Sequence, residues 1–171
     1  GLKARSMSLK EFIEYSITNT NHDSFIYGDF LADGVITEIE KKAMINNTKY
    51  LQSLYDNAKD GETIILPSGV ILFSTDKELN ENKVNTIIQL NRDNVKIVGA
   101  GTDETKEGGY TILKPYAENG AEGIGIDMFY FNEYKDSNFE KPQYLTNVDF
   151  ENFIIDGDLT NGGQTSIRGK G

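Results

Sequence analysis

The chain contains no cysteine, which removes disulfides, thiolate metal sites and cysteine nucleophiles from the chemistry open to it. That absence does not choose between a cytosolic and an extracellular setting. It has a single histidine, His22, in the polar stretch "NTNHDS". Ser-His-Asp chemistry therefore has no support, and His22 reads as a solvated loop residue. Basic residues are scarce, with 17 Lys plus Arg against 27 Asp plus Glu and a net charge of -10. A phosphate-backbone partner needs basic patches, so no nucleic-acid partner is expected. No apolar run approaches the roughly 20 residues of a membrane span, and the first residues lack the apolar segment of a secretion signal. No membrane partner is expected. The 171 residues suit one domain, or a small domain with an appendage, and suffice to bury a core.

Two unlike halves follow. From Ser8 to Lys59 the apolar spacing is helical, with Leu9, Phe12, Ile13 and Ile17 on one stripe and Leu51, Leu54, Tyr55 and Ala58 on another. Asn46 and Asn47 interrupt that spacing, and Asn47 is a good N-cap, so a helix break is expected there. After Gly61 come short β-branched runs separated by turn residues: "TIILPSGVILF", "NTIIQL", "NVKIVGAG", "YTILK", "IDMFYF" and "NVDFENFIID". No segment between them carries a ten-residue helical pattern, which argues against alternating strand and helix units. The continuous apolar pairs and triplets Ile64-Ile65-Leu66 and Ile87-Ile88 suit strands covered on both sides or at sheet corners. The residues before Met7 are given no structural weight.

Candidate sites are few. In "YGDFLADGVITEIEKK", counting Asp29 as position 1 of a calcium loop puts Asp33 at 5, Gly34 at 6, the Val35 carbonyl at 7, Thr37 at 9 and Glu40 at 12. Leu31 occupies position 3, where a ligand oxygen is required. The competing reading makes Thr37 and Glu40 a capping box and Asp33-Gly34 the turn before it. Calcium is thus one candidate cofactor, and no other is indicated. Pro67-Ser68-Gly69 and Gly99-Ala100-Gly101 read as tight turns, because no helix follows to make a phosphate cradle. Asp156-Gly157-Asp158 reads first as a corner whose carboxylates are open to calcium or sugar chemistry. The remaining acids, Asp103, Glu104, Glu107, Asp127, Glu133, Asp136 and Asp149, are scattered, and no motif selects a catalytic pair. In "MFYFNEY", Tyr130 and Tyr134, with Tyr144 and the polar Asn132, are candidates for a sugar-stacking platform. Strand alternation would instead bury Met128, Tyr130 and Tyr134, or else Phe129 and Phe131.

Three stretches resemble one family. "NNTKYLQSLYDNAKDGETIILPSGVILF", "NVKIVGAGTDETKEGGYTIL" and "NVDFENFIIDGD" are similar, in order, to the opening and recurring signatures of the pectate-lyase superfamily. The resemblance implies a mainly β fold, the start of a right-handed parallel β-helix of about three rungs, with an N-terminal helical cap and a helical appendage. It divides the chain into an appendage over 1–45 and cap helix plus rungs over 46–171. The Asn47 to Lys59 helix would be the cap, its Leu51, Leu54 and Ala58 face covering the first rung. "GDFLADGVITEIEKKAM" resembles a segment of phage and prophage tail-associated proteins of Gram-positive hosts.

Together the resemblances imply the N-terminal part of a phage tail-spike or appendage protein, located on the virion tail or extracellularly. Such a protein is a homotrimer whose partner is a cell-surface polysaccharide, bound and in some members depolymerised. The expectation is a fragment of a longer chain, not itself catalytic, since grooves in this family lie along middle rungs. The rival is a fragment of a secreted bacterial polysaccharide lyase or glycoside hydrolase, and a third reading is a purely structural attachment domain.

Overall fold

A computed structural model describes residues 1–17, 21–31, 35–76, 85–116, 125–131, 145–157 and 164–169. The described residues are mainly β, with parallel strands and two helices. Helix α1 spans Leu9–Ser16, with the Ser8 hydroxyl accepting from the Glu11 N–H. Helix α2 spans Glu38–Asn57. The short strands β1 (Leu2–Lys3), β2 (Ser6–Met7) and β3 (Phe25–Ile26) precede it.

Among the described residues, nine strands follow α2 and form three groups of three. The first is β4 (Thr63–Ile65), β5 (Gly69–Ser74) and β6 (Thr86–Leu90). The second is β7 (Val95–Val98), β8 (Thr111–Tyr116) and β9 (Gly125–Phe131). The third is β10 (Val148–Glu151), β11 (Ile154–Ile155) and β12 (Gln164–Gly169). Each group gives one strand to each of three sheets, ordered β1-β4-β7-β10, β11-β8-β5 and β12-β9-β6. Every pairing between these strands is parallel. The chain thus visits the three sheets in a fixed cyclic order and returns to the first one strand further along. We call each group of three a circuit.

This arrangement explains the runs of apolar residues. Ile64 and Ile97 from the first sheet, Ile71, Phe73 and Leu113 from the second, and Ile88, Leu90 and Phe129 from the third join one buried cluster. Ile87 and Ile88, adjacent within β6, are both fully buried and both join this cluster, whereas Ile65 between the buried Ile64 and Leu66 is exposed. Phe129 stacks on Phe150 of the next circuit, with ring centroids 4.6 Å apart and planes at 27°.

Corner residues repeat as well. Thr63 pairs with Lys96 and Val95 with Val148, which puts Gly61, Asn94 and Asn147 in one column two or one residues ahead of their strands. All three have positive φ, of 79°, 60° and 56°. Glycine and asparagine are the residues that tolerate this left-handed backbone. The column is bonded along its length: Gly61 N–H donates to the Asn94 carbonyl at 2.7 Å, and the Asn147 side-chain amide donates to the Asn94 side-chain oxygen at 2.9 Å. Gly99 serves a different purpose, because a Cβ there would run into the carbonyl oxygen of Asn152 on the next circuit.

Two expectations need correction. No break occurs at Asn46 and Asn47: α2 is continuous through them, and the 45/46 boundary falls inside a helix. Their helix-disfavouring side chains are buried and bonded to other elements, so tertiary contacts override local propensity. The residues before Met7 also carry structure, since Leu2 and Lys3 pair with Ile64 and Ile65 and extend the first sheet.

Candidate functional site

The part of the molecule most specifically built is the surface where α2 meets the first circuit. A parallel strand edge carries N–H and C=O groups that must be satisfied. At the first sheet β1 does this as a strand. At the other two sheets the side chains of α2 do it, joined on β5 by the Gly28 N–H, which donates to the Val70 carbonyl at 2.8 Å. Asn47 is fully buried; its amide donates to the carbonyls of Ile26 at 2.9 Å and Leu72 at 2.8 Å, and its oxygen accepts from the Ile26 N–H at 2.7 Å. The Thr48 hydroxyl donates to the Ser74 carbonyl at 2.5 Å. One turn on, Gln52 donates to the Gln89 carbonyl and accepts from the Gln89 N–H, both at 2.9 Å. Another turn on, the Tyr55 hydroxyl accepts from the N–H groups of Asn91 and Arg92 and donates to the Arg92 carbonyl at 2.8 Å. The Arg92 guanidinium lies 5.5 Å from the centre of the Tyr55 ring. Burial pushes the Tyr55 phenol above its ordinary pKa, against the opposing pull of the Arg92 and Asn91 backbone bonds.

Interleaved with these polar groups, Leu51 is fully buried and joins the main cluster with Ala58, while Leu54 is partly buried against it. The cap face expected from Leu51, Leu54 and Ala58 is therefore only half of the interface. At the other end of α2, the Thr37 hydroxyl accepts from the Glu40 N–H and a Glu40 oxygen accepts from the Thr37 N–H, both at 3.2 Å. This is the capping box. The other Glu40 oxygen, Oε2, is buried without a hydrogen-bond partner. Asp29, first residue of the calcium pattern, reaches across to β8, where its carboxylate meets the Lys114 ammonium at 2.8 Å. Asp33 lies outside the described residues, and Val35 is exposed. Among the described residues no group of three His, Asp or Glu side chains converges to hold a metal ion.

Lys114 is the centre of a second cluster. Leu113 faces the core, so Lys114 faces out, and Asp156, just past β11, comes within 3.8 Å of it. Burial alone would lower the Lys114 pKa, but the hydrogen bond and charge of Asp29, aided by Tyr116 and Asp156, hold it above its ordinary value. A lysine kept protonated in this way is a charge clamp and not a general base. Neither half of the pair advertises the other: Lys114 is a lone cation in an apolar strand, and Asp29 lies 85 residues away.

The sugar-platform residues are mostly beyond description, since Asn132, Tyr134 and Tyr144 lie outside the described residues, as does Asp158. Tyr130 is half-buried on β9, in register with Gln89 of β6 and Arg168 of β12. Neither expected alternation holds, because Met128 and Phe129 are both fully buried. His22 is exposed, and its Nδ1 lies 2.9 Å from the Asn46 side-chain oxygen. The Asn46 amide donates to the Ser24 carbonyl, so that oxygen is an acceptor and His22 Nδ1 carries the proton. Among the described residues no helix is long and apolar enough to cross a membrane. Comparisons with family models, curated proteins and solved structures found no match for this chain.

Proposed function

We propose that this chain is the N-terminal, end-closing part of a right-handed parallel β-helix protein of the pectate-lyase-like kind, serving as a phage tail-spike or appendage segment that presents a polysaccharide-binding coil. The observation that carries the reading is the cyclic visiting of three parallel sheets in register, with α2 laid across one end. A coil of this kind buries a continuous apolar column and gives long outer faces to an extended polymer, while its first circuit needs a cover. The covering helix and the bonded corner column support a role in closing and attaching, and the scattered carboxylates give no support to catalysis in this piece.

Co-sedimentation with cells of Gram-positive bacteria and with their purified surface polysaccharides tests the binding. Saturable binding supports the reading; its absence across a broad panel leaves the attachment role alone. Release of reducing ends or of unsaturated uronate absorbance would favour the lyase or hydrolase alternative. A trimer in solution would favour the tail protein over a secreted enzyme.

Calcium at the Asp29 to Glu40 segment is a separate proposal, carried by the partnerless, buried Oε2 of Glu40. Calorimetric titration of wild type and Glu40→Gln tests it, because glutamine keeps the capping box and loses the charge. Saturable heat in wild type alone supports a site, whereas no heat in either leaves Glu40 a capping residue.

A further inference from the structure

We propose that residues 27–29 form a salt-releasable strap over the outer face of the second sheet, hinged at Gly28 and latched by the ion pair of Asp29 with Lys114. Before the strap the chain is locked: Phe25 and Ile26 are fully buried, and the Asn47 side chain bonds both the N–H and the carbonyl of Ile26. After it, Phe30 packs on the small cluster of Phe12, Ile26 and Ala43. Between these anchors the chain turns outward. Tyr27 is 42% exposed, and Gly28 has a φ of 112°, a value that glycine alone adopts readily. The tip is held to the coil by the Gly28 N–H, which donates to the Val70 carbonyl at 2.8 Å, and by the Asp29 carboxylate on Lys114 at 2.8 Å.

Ile71, Phe73 and Leu113 face the core, so Val70, Leu72, Ile112 and Lys114 face outward. Leu72 is in register with Lys114, and Asp156 follows β11 on the far side of β8 from β5. The Lys114 ammonium also lies 3.8 Å from Asp156, so it does not lean away towards β5, and Asp29 comes in over β5 to reach it. That path crosses Leu72, which is fully buried although it points away from the core. The latch is built to release. The Asp29 side chain is 43% exposed and regains water readily, while Asp156 stays beside Lys114, so opening leaves no unpaired ammonium on the coil. An ion pair this exposed is weakened by salt. Lifting the tip uncovers the outward apolar strip of Val70, Leu72 and Ile112, a surface the chain can hide or show.

The chain has no cysteine, so a single introduced thiol reports on the strap. Labelling of Leu72→Cys by a maleimide is expected to be several-fold faster at about 1 M salt, where charges are screened beyond about 3 Å, than at low salt. With Asp29→Asn added, labelling should be fast at both salt concentrations. Ile71→Cys, at a position facing the core, should label slowly throughout, because its exposure needs the coil itself to open. Amide hydrogen exchange in Asp29→Asn makes the same test without a thiol, should the cysteine variants not fold. The Gly28 amide is expected to exchange several-fold faster than in wild type, and the Ile26 amide at the wild-type rate. The proposal is overturned if neither salt nor Asp29→Asn changes the labelling of Leu72→Cys or the exchange of Gly28. It is equally overturned if Leu72→Cys and Ile71→Cys, or Gly28 and Ile26, respond in parallel, since that is opening of the whole coil.

Discussion

The first circuit is joined to the second by strands and to α2 by side chains, and the two interfaces demand opposite residues. Between circuits the backbone makes the hydrogen bonds, so inward positions such as Ile64, Ile97 and Leu113 can be wholly apolar. Against α2 the backbone of the helix is already satisfied internally, so Asn47, Thr48 and Gln52 must be both buried and polar. A buried amide that meets three backbone groups does for the edge what a neighbouring strand would have done. The helix interface is therefore the more easily broken by a single substitution, since one side chain carries bonds that a strand would spread over several residues.

The largest effect should come from Leu51→Asp, which puts a charge into the apolar layer between the helix and the first circuit. We expect loss of more than about 4 kcal/mol and of cooperative melting; a cooperative transition near that of wild type would remove α2 from the core. Next is Asn47→Ala. It strands the Ile26 N–H and the Ile26 and Leu72 carbonyls, so denaturant melts should show a loss of about 3 kcal/mol. Removing Asn147 instead should cost no more than about 1 kcal/mol, since that exposed side chain bonds one neighbour. Equal losses would erase the distinction between the two interfaces.

Among the corners, Gly99→Ala should cost about 2 kcal/mol because its Cβ meets the Asn152 carbonyl of the next circuit. At Gly61, where a Cβ would meet nothing within 4 Å, asparagine should change stability by less than about 0.5 kcal/mol, as its column mates are already Asn94 and Asn147. Chemical denaturation of the pair would check both. The smallest effect is with pH. Tyr55 and Lys114 hold their protons more tightly in the folded chain than their ordinary values of 10.0 and 10.5. Each contribution is complete below those values and is lost as pH rises through the raised folded values. Melting temperature should fall at strongly alkaline pH, and less so in Tyr55→Phe than in wild type; an unchanged alkaline slope would detach the phenol from the edge contacts.

Much of the fold was legible because it rests on local chemistry. The β-branched runs after Gly61 became strands, whereas the left-handed corners at Asn94 and Asn147 emerged only with the structure. The capping box at Thr37 and Glu40 was readable from spacing alone. Asn46 and Asn47 were misread as a break because local propensity cannot register that β3 and β5 lie within reach of their amides. The same blindness hid the Asp29 to Lys114 contact.

By itself, the sequence determined that the runs after Gly61 are strands and that Thr37 and Glu40 cap a helix, because these follow from steric preference and spacing within a few residues. Only the tertiary structure decided that Asn47, Thr48, Gln52 and Tyr55 stand in for a strand. Whether a polar side chain is a solvent contact or a buried substitute for a backbone group depends on which edge it faces, and that edge comes from residues 21 to 37 positions away.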